Sequence, residues 1–149
     1  MPAPIPASTI HRLEAAARRA AKSAYSPYSK FNVGAAVLAG SGRTYLGGNV
    51  ENASYGLSIC AERTAIFTAV AAGERALEAL AVYTPTPAPT MPCGACRQVL
   101  HEFGSHALVI SICNSSRRLE STLPALLSHA FGPENLIKVA SRSAARKAR

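Results

Sequence analysis

The chain has no tryptophan, two methionines and four cysteines, and only 6% of its 149 residues are aromatic. It is also poor in acid: eight Asp and Glu stand against sixteen Lys and Arg, a formal net charge of +8. Each shortage excludes something. Sparse aromatics argue against a surface that stacks nucleic-acid bases. The basic excess is partly confined to one end, because Arg142, Arg146, Lys147 and Arg149 all lie in the last nine residues. Such an Ala/Ser-rich basic end reads as a solvated tail rather than a nucleic-acid site. No apolar run is long enough to cross a bilayer. The start, Met1-Pro2-Ala3-Pro4-Ile5-Pro6, lacks the basic and apolar regions of a signal peptide. A cytoplasmic location without membrane contact is expected, where thiols stay reduced and serve as metal ligands, a redox pair or core residues.

Aliphatic residues are plentiful. A hydrophobic content of 48% is enough for one core, and no shift in composition marks a second. A single domain over residues 1–140 is expected, with 1–8 a proline-rich arm and 141–149 the basic tail.

From Ser8 or Thr9, possible caps, the spacing of Ile10, Leu13, Ala17, Ala20, Ala21 and Ala24 predicts an amphipathic helix. Tyr25-Ser26-Pro27-Tyr28-Ser29 breaks it. Phe31 to Ala39 and Arg43 to Asn49 read as a hairpin around Gly40-Ser41-Gly42. If the chain stays extended to Glu51, Asn49 and Glu51 share one side. Cys60 to Ala72 is apolar on nearly every position, as a buried central helix would be, and Gly73 ends it. Leu77 to Thr84 and Ala107 to Asn114 read as strands, with Arg118 to Thr122 a short further one. Gly94 to Phe103 reads as a helix, and Leu123 to Phe131 as a last helix stopped by Gly132-Pro133. Strands separated by helices predict an α/β layered fold: a mixed sheet of about five strands flanked by helices.

The chemistry concentrates at two of these helix starts. Cys60-Ala61-Glu62-Arg63 opens the central helix, and Pro92-Cys93-Gly94-Ala95-Cys96 opens the next. Free N–H groups and the positive pole of the helix dipole favour thiolate and carboxylate there. Cys93 and Cys96 can bind one ion together, and if the two helix starts converge Cys60 can complete a three-thiolate zinc site with a fourth position open for water. The pattern C-A-E followed by P-C-G-A-C matches the three-cysteine form of the zinc deaminase signature, in which Glu is an acid/base and not a ligand.

Over residues 10–137 the chain resembles the short, homotetrameric cytidine deaminases. The blocks YSPYSKFNVGAAV, GGNVENASYGLSICAERTAIF, PCGACRQVLHEFG and LLSHAFGPENL follow that family's order. The resemblance implies a three-layer cytidine-deaminase-like fold, one Zn²⁺ per subunit on Cys60, Cys93 and Cys96, and Glu62 as proton shuttle. It further implies that Asn49 and Glu51 bind the sugar hydroxyl, and that Phe31 lies against the pyrimidine. Ala61 and Tyr55 would line the substrate site, and Phe131 would stack on a substrate held mainly by a neighbouring subunit. Arg63 would offset part of the thiolate charge beside the metal. The implied activity is hydrolysis of free cytidine and deoxycytidine to uridine, deoxyuridine and ammonia in pyrimidine salvage.

Taken singly, most of these residues have a plainer use. Glu62 fits as a first-turn helix acid, Asn49 and Glu51 as strand-end polar groups, Phe31 and Phe131 as core aromatics, and Tyr55 as a loop residue. Cys113, in an apolar strand, reads as a buried inert thiol, and His101 as turned away from the metal. Rival functions are a deaminase of modified cytosine nucleosides, like the blasticidin deaminases, a nucleic-acid-directed protein using the basic tail, and a purely structural zinc protein.

Overall fold

The computed structural model describes residues 4–136. The basic tail at 141–149 and the expected domain end at 140 lie outside the described residues. A five-stranded mixed sheet in the order β2-β1-β3-β4-β5 forms the middle layer. Its strands are β1 (Gly34–Ala39), β2 (Thr44–Gly48), β3 (Leu77–Tyr83), β4 (Leu108–Ile112) and β5 (Arg118–Thr122). β1 runs antiparallel to β2 and β3, β3 and β4 are parallel, and β5 returns antiparallel to β4. The helices are α1 (Ala7–Ala20), α2 (Ala61–Ala71), α3 (Gly94–Phe103) and α4 (Leu123–Leu126).

The sheet is covered on both faces, and the period-two alternation of the strands decides what meets what. Ala36 and Leu38 of β1, Ala79 and Ala81 of β3, and Ile110 and Ile112 of β4 pack against Leu13, Ala16 and Ala17 of α1. The alternate residues, among them Ala35, Val37, Leu80 and Val109, pack with Ala61, Ala65, Ile66 and Ala69 of α2 and Leu100 of α3. These are the three layers expected. Small alanines on β1 and α2 let helix and sheet approach closely, which sets the height of the α2 N-terminus above the sheet.

Several boundaries depart from expectation for identifiable reasons. α1 begins at Ala7 with Pro6 in the cap position and no side-chain cap, so Ser8 and Thr9 lie within its first turn rather than capping it, and the proline-rich arm is shorter than residues 1–8. Phe31 to Val33 do not join β1, because side chains have taken their backbone groups. Asn49 Nδ2 donates to the Phe31 carbonyl at 2.9 Å, and the Val33 N–H donates to Asn49 Oδ1 at 2.9 Å. α4 stops at Leu126 instead of running to Phe131. Two α3 side chains capture carbonyls from that segment: Arg97 Nη1 donates to Leu126 O at 2.9 Å and Gln98 Nε2 to Phe131 O at 2.8 Å. Gly132-Pro133 does not end a helix either. Backbone over 133–136 is helical, with proline in the first-turn position that its fixed φ suits.

Candidate active site

α2 and α3 approach each other at their N-termini, and this convergence builds the site. Cys60 and Cys93 are the N-cap residues of α2 and α3, and neither side chain caps its helix, which leaves both sulfurs free. Cys96 follows one turn into α3 and is fully buried. The Sγ atoms of Cys60 and Cys93 are 3.9 Å apart, those of Cys93 and Cys96 3.5 Å, and all three lie within 4.8 Å of one another. Three sulfurs bound tetrahedrally to one zinc at ordinary Zn–S lengths stand about 3.8 Å apart. The donor set and its spacing therefore fit zinc, and this is the one such cluster of His, Cys, Asp and Glu among the described residues.

Charge around the sulfurs is partitioned. A hydrogen bond from the Cys96 thiol, with help from the Arg63 guanidinium, lowers the Cys60 pKa to about 5. Cys96 moves the opposite way, because it supplies the proton in that hydrogen bond and is buried. Arg63 Nη2 donates to Cys60 Sγ at 3.5 Å, whereas its buried Nε has no acceptor. Glu62, on the first turn of α2, is only 6% exposed. Burial, reinforced by the negative charge at Cys60, holds its pKa above the ordinary carboxylate value. A carboxyl whose pKa is raised towards neutrality can both take and return a proton.

Cys60, Glu62 and Cys93 open into a cavity of about 530 Å³, within the usual range for small-molecule sites. Phe31, Asn49, Glu51, Tyr55 and Ala61 all line it, so five of the residues singled out in the sequence meet in one place. The backbone at Val50 pairs with Ile59 and Tyr25, which keeps it extended and turns Asn49 and Glu51 to the same side. Tyr55 is 74% exposed and its ring lies 5.8 Å from that of Tyr28. Phe131 is not in this cavity; it is 60% exposed. Sequence reasoning missed Ser58, Val82, Thr84, Thr90 and Met91 on the walls and Tyr28 and Ser29 at the rim. Thr90 and Met91 directly precede the Pro92-Cys93 motif, a position that could have flagged them.

The family profile for the cytidine and deoxycytidylate deaminase zinc-binding region matches residues 7–112. The chain belongs to this family. It is 47% identical to the cytidine deaminase of Sporosarcina psychrophila over 85% of this chain and 94% of that one. Among solved structures, the cytidine deaminase of Burkholderia pseudomallei superposes with a TM-score of 0.78 at 47% identity, covering 81% of this chain and 98% of that one. The cytidine deaminase of Mycobacterium tuberculosis gives a TM-score of 0.71 at 42% identity, covering 83% and 97%. The fold is thus that of the cytidine deaminases, and Cys60, Cys93 and Cys96 are the group able to hold the zinc of this deaminase family. No helix among the described residues is long and apolar enough to cross a membrane.

Proposed function

We propose that this protein is a zinc-dependent cytidine deaminase that hydrolyses cytidine and deoxycytidine to uridine and deoxyuridine with release of ammonia, in cytoplasmic pyrimidine salvage. The observation that carries the reading is the position of Glu62: a buried carboxyl with a raised pKa, on the same helix turn as Cys60 and on the wall of a nucleoside-sized cavity. A structural zinc protein needs neither the cavity nor the carboxyl.

Held by Cys60, Cys93 and Cys96, zinc supplies Lewis-acid activation of a water near neutral pH. The chain supplies the proton movements. Glu62 Oε takes a proton from the attacking water and gives it to pyrimidine N3 as the oxygen bonds to C4. It then takes the remaining hydroxyl proton and delivers it to the exocyclic amine; the C4–N bond breaks, ammonia leaves and the C4 carbonyl forms. Arg63 offsets one thiolate, so that the centre does not repel the electron density building on the ring.

Phe31 lies against the pyrimidine, Ala61 closes the ring end of the cavity, and Asn49 and Glu51 take the sugar hydroxyls. The protein is a single domain to residue 140 that assembles as a homotetramer. Tyr55 stands at a site shared between subunits, and Phe131 reaches the substrate of a neighbour, which accounts for its absence from its own cavity. No role for nucleic acid is proposed. The test is direct assay of purified protein on cytidine, deoxycytidine, free cytosine and a cytosine nucleoside antibiotic, with ultraviolet absorbance and ammonia read together. Turnover of the first two is expected. Preference for the antibiotic, or zinc-loaded protein with no turnover, overturns the proposal.

A further inference from the structure

The residues assigned to the substrate are not independent of one another. Glu51 accepts at Oε2 from the Tyr28 N–H at 3.0 Å and the Ser29 N–H at 3.2 Å, and at Oε1 from the Ser29 hydroxyl. The same Ser29 hydroxyl accepts from the Phe31 N–H at 3.0 Å. The Phe31 carbonyl in turn accepts from Asn49 Nδ2 at 2.9 Å. One serine oxygen therefore links the sugar-side carboxylate to the residue set against the base.

We infer that Ser29 is a positioning residue for the sugar subsite, holding Glu51 Oε1 at the angle from which it accepts a substrate hydroxyl. The inference rests on the reading of Glu51 as a sugar ligand. Counting acceptor sites supports the choice of oxygen. A carboxylate oxygen accommodates about two donors. Oε2 already has two, both backbone, whereas Oε1 has one, from Ser29, which leaves it capacity for a second donor from the cavity that Glu51 lines.

Without the Ser29 hydroxyl, both remaining donors pull on Oε2 and nothing fixes Oε1, so the carboxylate can rotate about its last torsion. The loop itself has other ties. Lys30 N–H donates to Ser26 O at 3.0 Å, and Asn49 holds Phe31 and Val33. The expected defect is thus in how the sugar is read, and it leaves the proton chemistry at Glu62 alone.

The experiment measures kcat and KM on cytidine, 2′-deoxycytidine, 3′-deoxycytidine and 2′,3′-dideoxycytidine for wild type, Ser29→Ala, Ser29→Thr and Glu51→Gln. Ser29→Ala is expected to raise KM for cytidine about tenfold, the lower end for a lost hydrogen bond to a charged group, with kcat changed less than about threefold. Its KM for the dideoxy compound stays at the wild-type value, so the preference for cytidine over dideoxycytidine shrinks. Ser29→Thr, which keeps the hydroxyl, restores most of that preference. If Glu51→Gln shrinks the preference and Ser29→Ala does not, the role of Ser29 is overturned while the reading of Glu51 stands. If Glu51→Gln also leaves the preference intact, the sugar assignment of Glu51 fails and this inference with it. A Ser29→Ala enzyme slowed equally on all four nucleosides shows a structural role only and equally overturns it.

Discussion

Gly47 of β2 and Ala65 of α2 touch backbone to backbone: a Cβ on Gly47 would stand 2.3 Å from the Ala65 nitrogen and 2.6 Å from the Ala61 carbonyl oxygen. Neither atom is the end of a flexible side chain that could swing aside, so the whole first part of α2 would have to lift from the sheet. That part of the helix carries Cys60 at its cap and Glu62 on its first turn. Gly47→Ala is therefore expected to destabilise the protein by about 3 kcal/mol, at the upper end for an added methylene in a packed core. Zinc affinity should fall with it, because α3 and its two cysteines stay in place while Cys60 moves. Denaturant midpoints and zinc content of the purified variant check both, and a variant with wild-type metal content would show that α2 tolerates the shift.

Periodicity and punctuation made much of this fold legible. Gly94 to Phe103 has in the structure the limits expected of it, between the proline-rich stretch that ends at Pro92 and Gly104, and Arg118 to Thr122 is likewise a strand over those residues. At two of the places where the expectation failed, the competing partner was distant in sequence. Leu123 to Phe131 has a helix-like pattern, yet Arg97 binds the Leu126 carbonyl, which a longer helix would have used itself, and Gln98 holds the end of the segment by the Phe131 carbonyl. Phe31 to Val33 look like strand, yet Asn49 occupies their backbone groups. The cysteine and glutamate positions were readable because a metal and an acid/base need fixed residue types at fixed spacings. Val82 and Thr84 were not, since a cavity wall asks only for shape.

Glu74 provides a pH test away from the site. The Ser41 hydroxyl donates to Glu74 Oε1 at 2.6 Å and the Tyr45 hydroxyl at 2.9 Å. These bonds, Ser41's first, lower the Glu74 pKa from its ordinary 4.5. A carboxyl lowered on folding contributes stability that is complete above its unfolded pKa and is lost as pH falls through the folded one. The stability gap between wild type and Glu74→Gln should thus be widest at neutral pH and close as pH falls below the ordinary carboxylate value of 4.5 and through the lowered one. Urea titrations across that range decide it; a gap independent of pH would mean that the two hydroxyls serve Gln equally well.

The four cysteines should separate cleanly in metal content. Cys60→Ser, Cys93→Ser and Cys96→Ser each leave two sulfurs where three converge, and each is expected to lose most of its zinc and its activity together. Cys113 is buried at the end of β4, where its thiol lies 3.2 Å from the Ser115 hydroxyl and 3.6 Å from the Pro87 carbonyl. Cys113→Ser should retain wild-type zinc and turnover. Metal analysis of the four purified variants tests this, and loss of zinc from the Cys113 variant would mean that the fourth thiol exchanges into the site.

Glu62→Gln separates the acid/base from everything around it. The amide has nearly the same shape but cannot carry a proton between water, N3 and the amine, so turnover should fall about a thousandfold or more, in the range for a lost general acid/base. Zinc content should be unchanged, because Glu62 is not one of the three ligands. Stability adds a third readout with an opposite sign to that of Glu74. Burial, then the charge at Cys60, raises the Glu62 pKa, so the folded state holds that proton more tightly than the unfolded chain does. Such a group stabilises most at pH below its unfolded value and loses that contribution as pH rises through the folded value, leaving a buried charge at a net cost. Replacing it with Gln is expected to make the metal-free protein at least as stable as wild type at pH 8, with the advantage vanishing near pH 4. A variant that is inactive, zinc-loaded and no less stable has lost chemistry alone; one that keeps its turnover removes Glu62 from the mechanism.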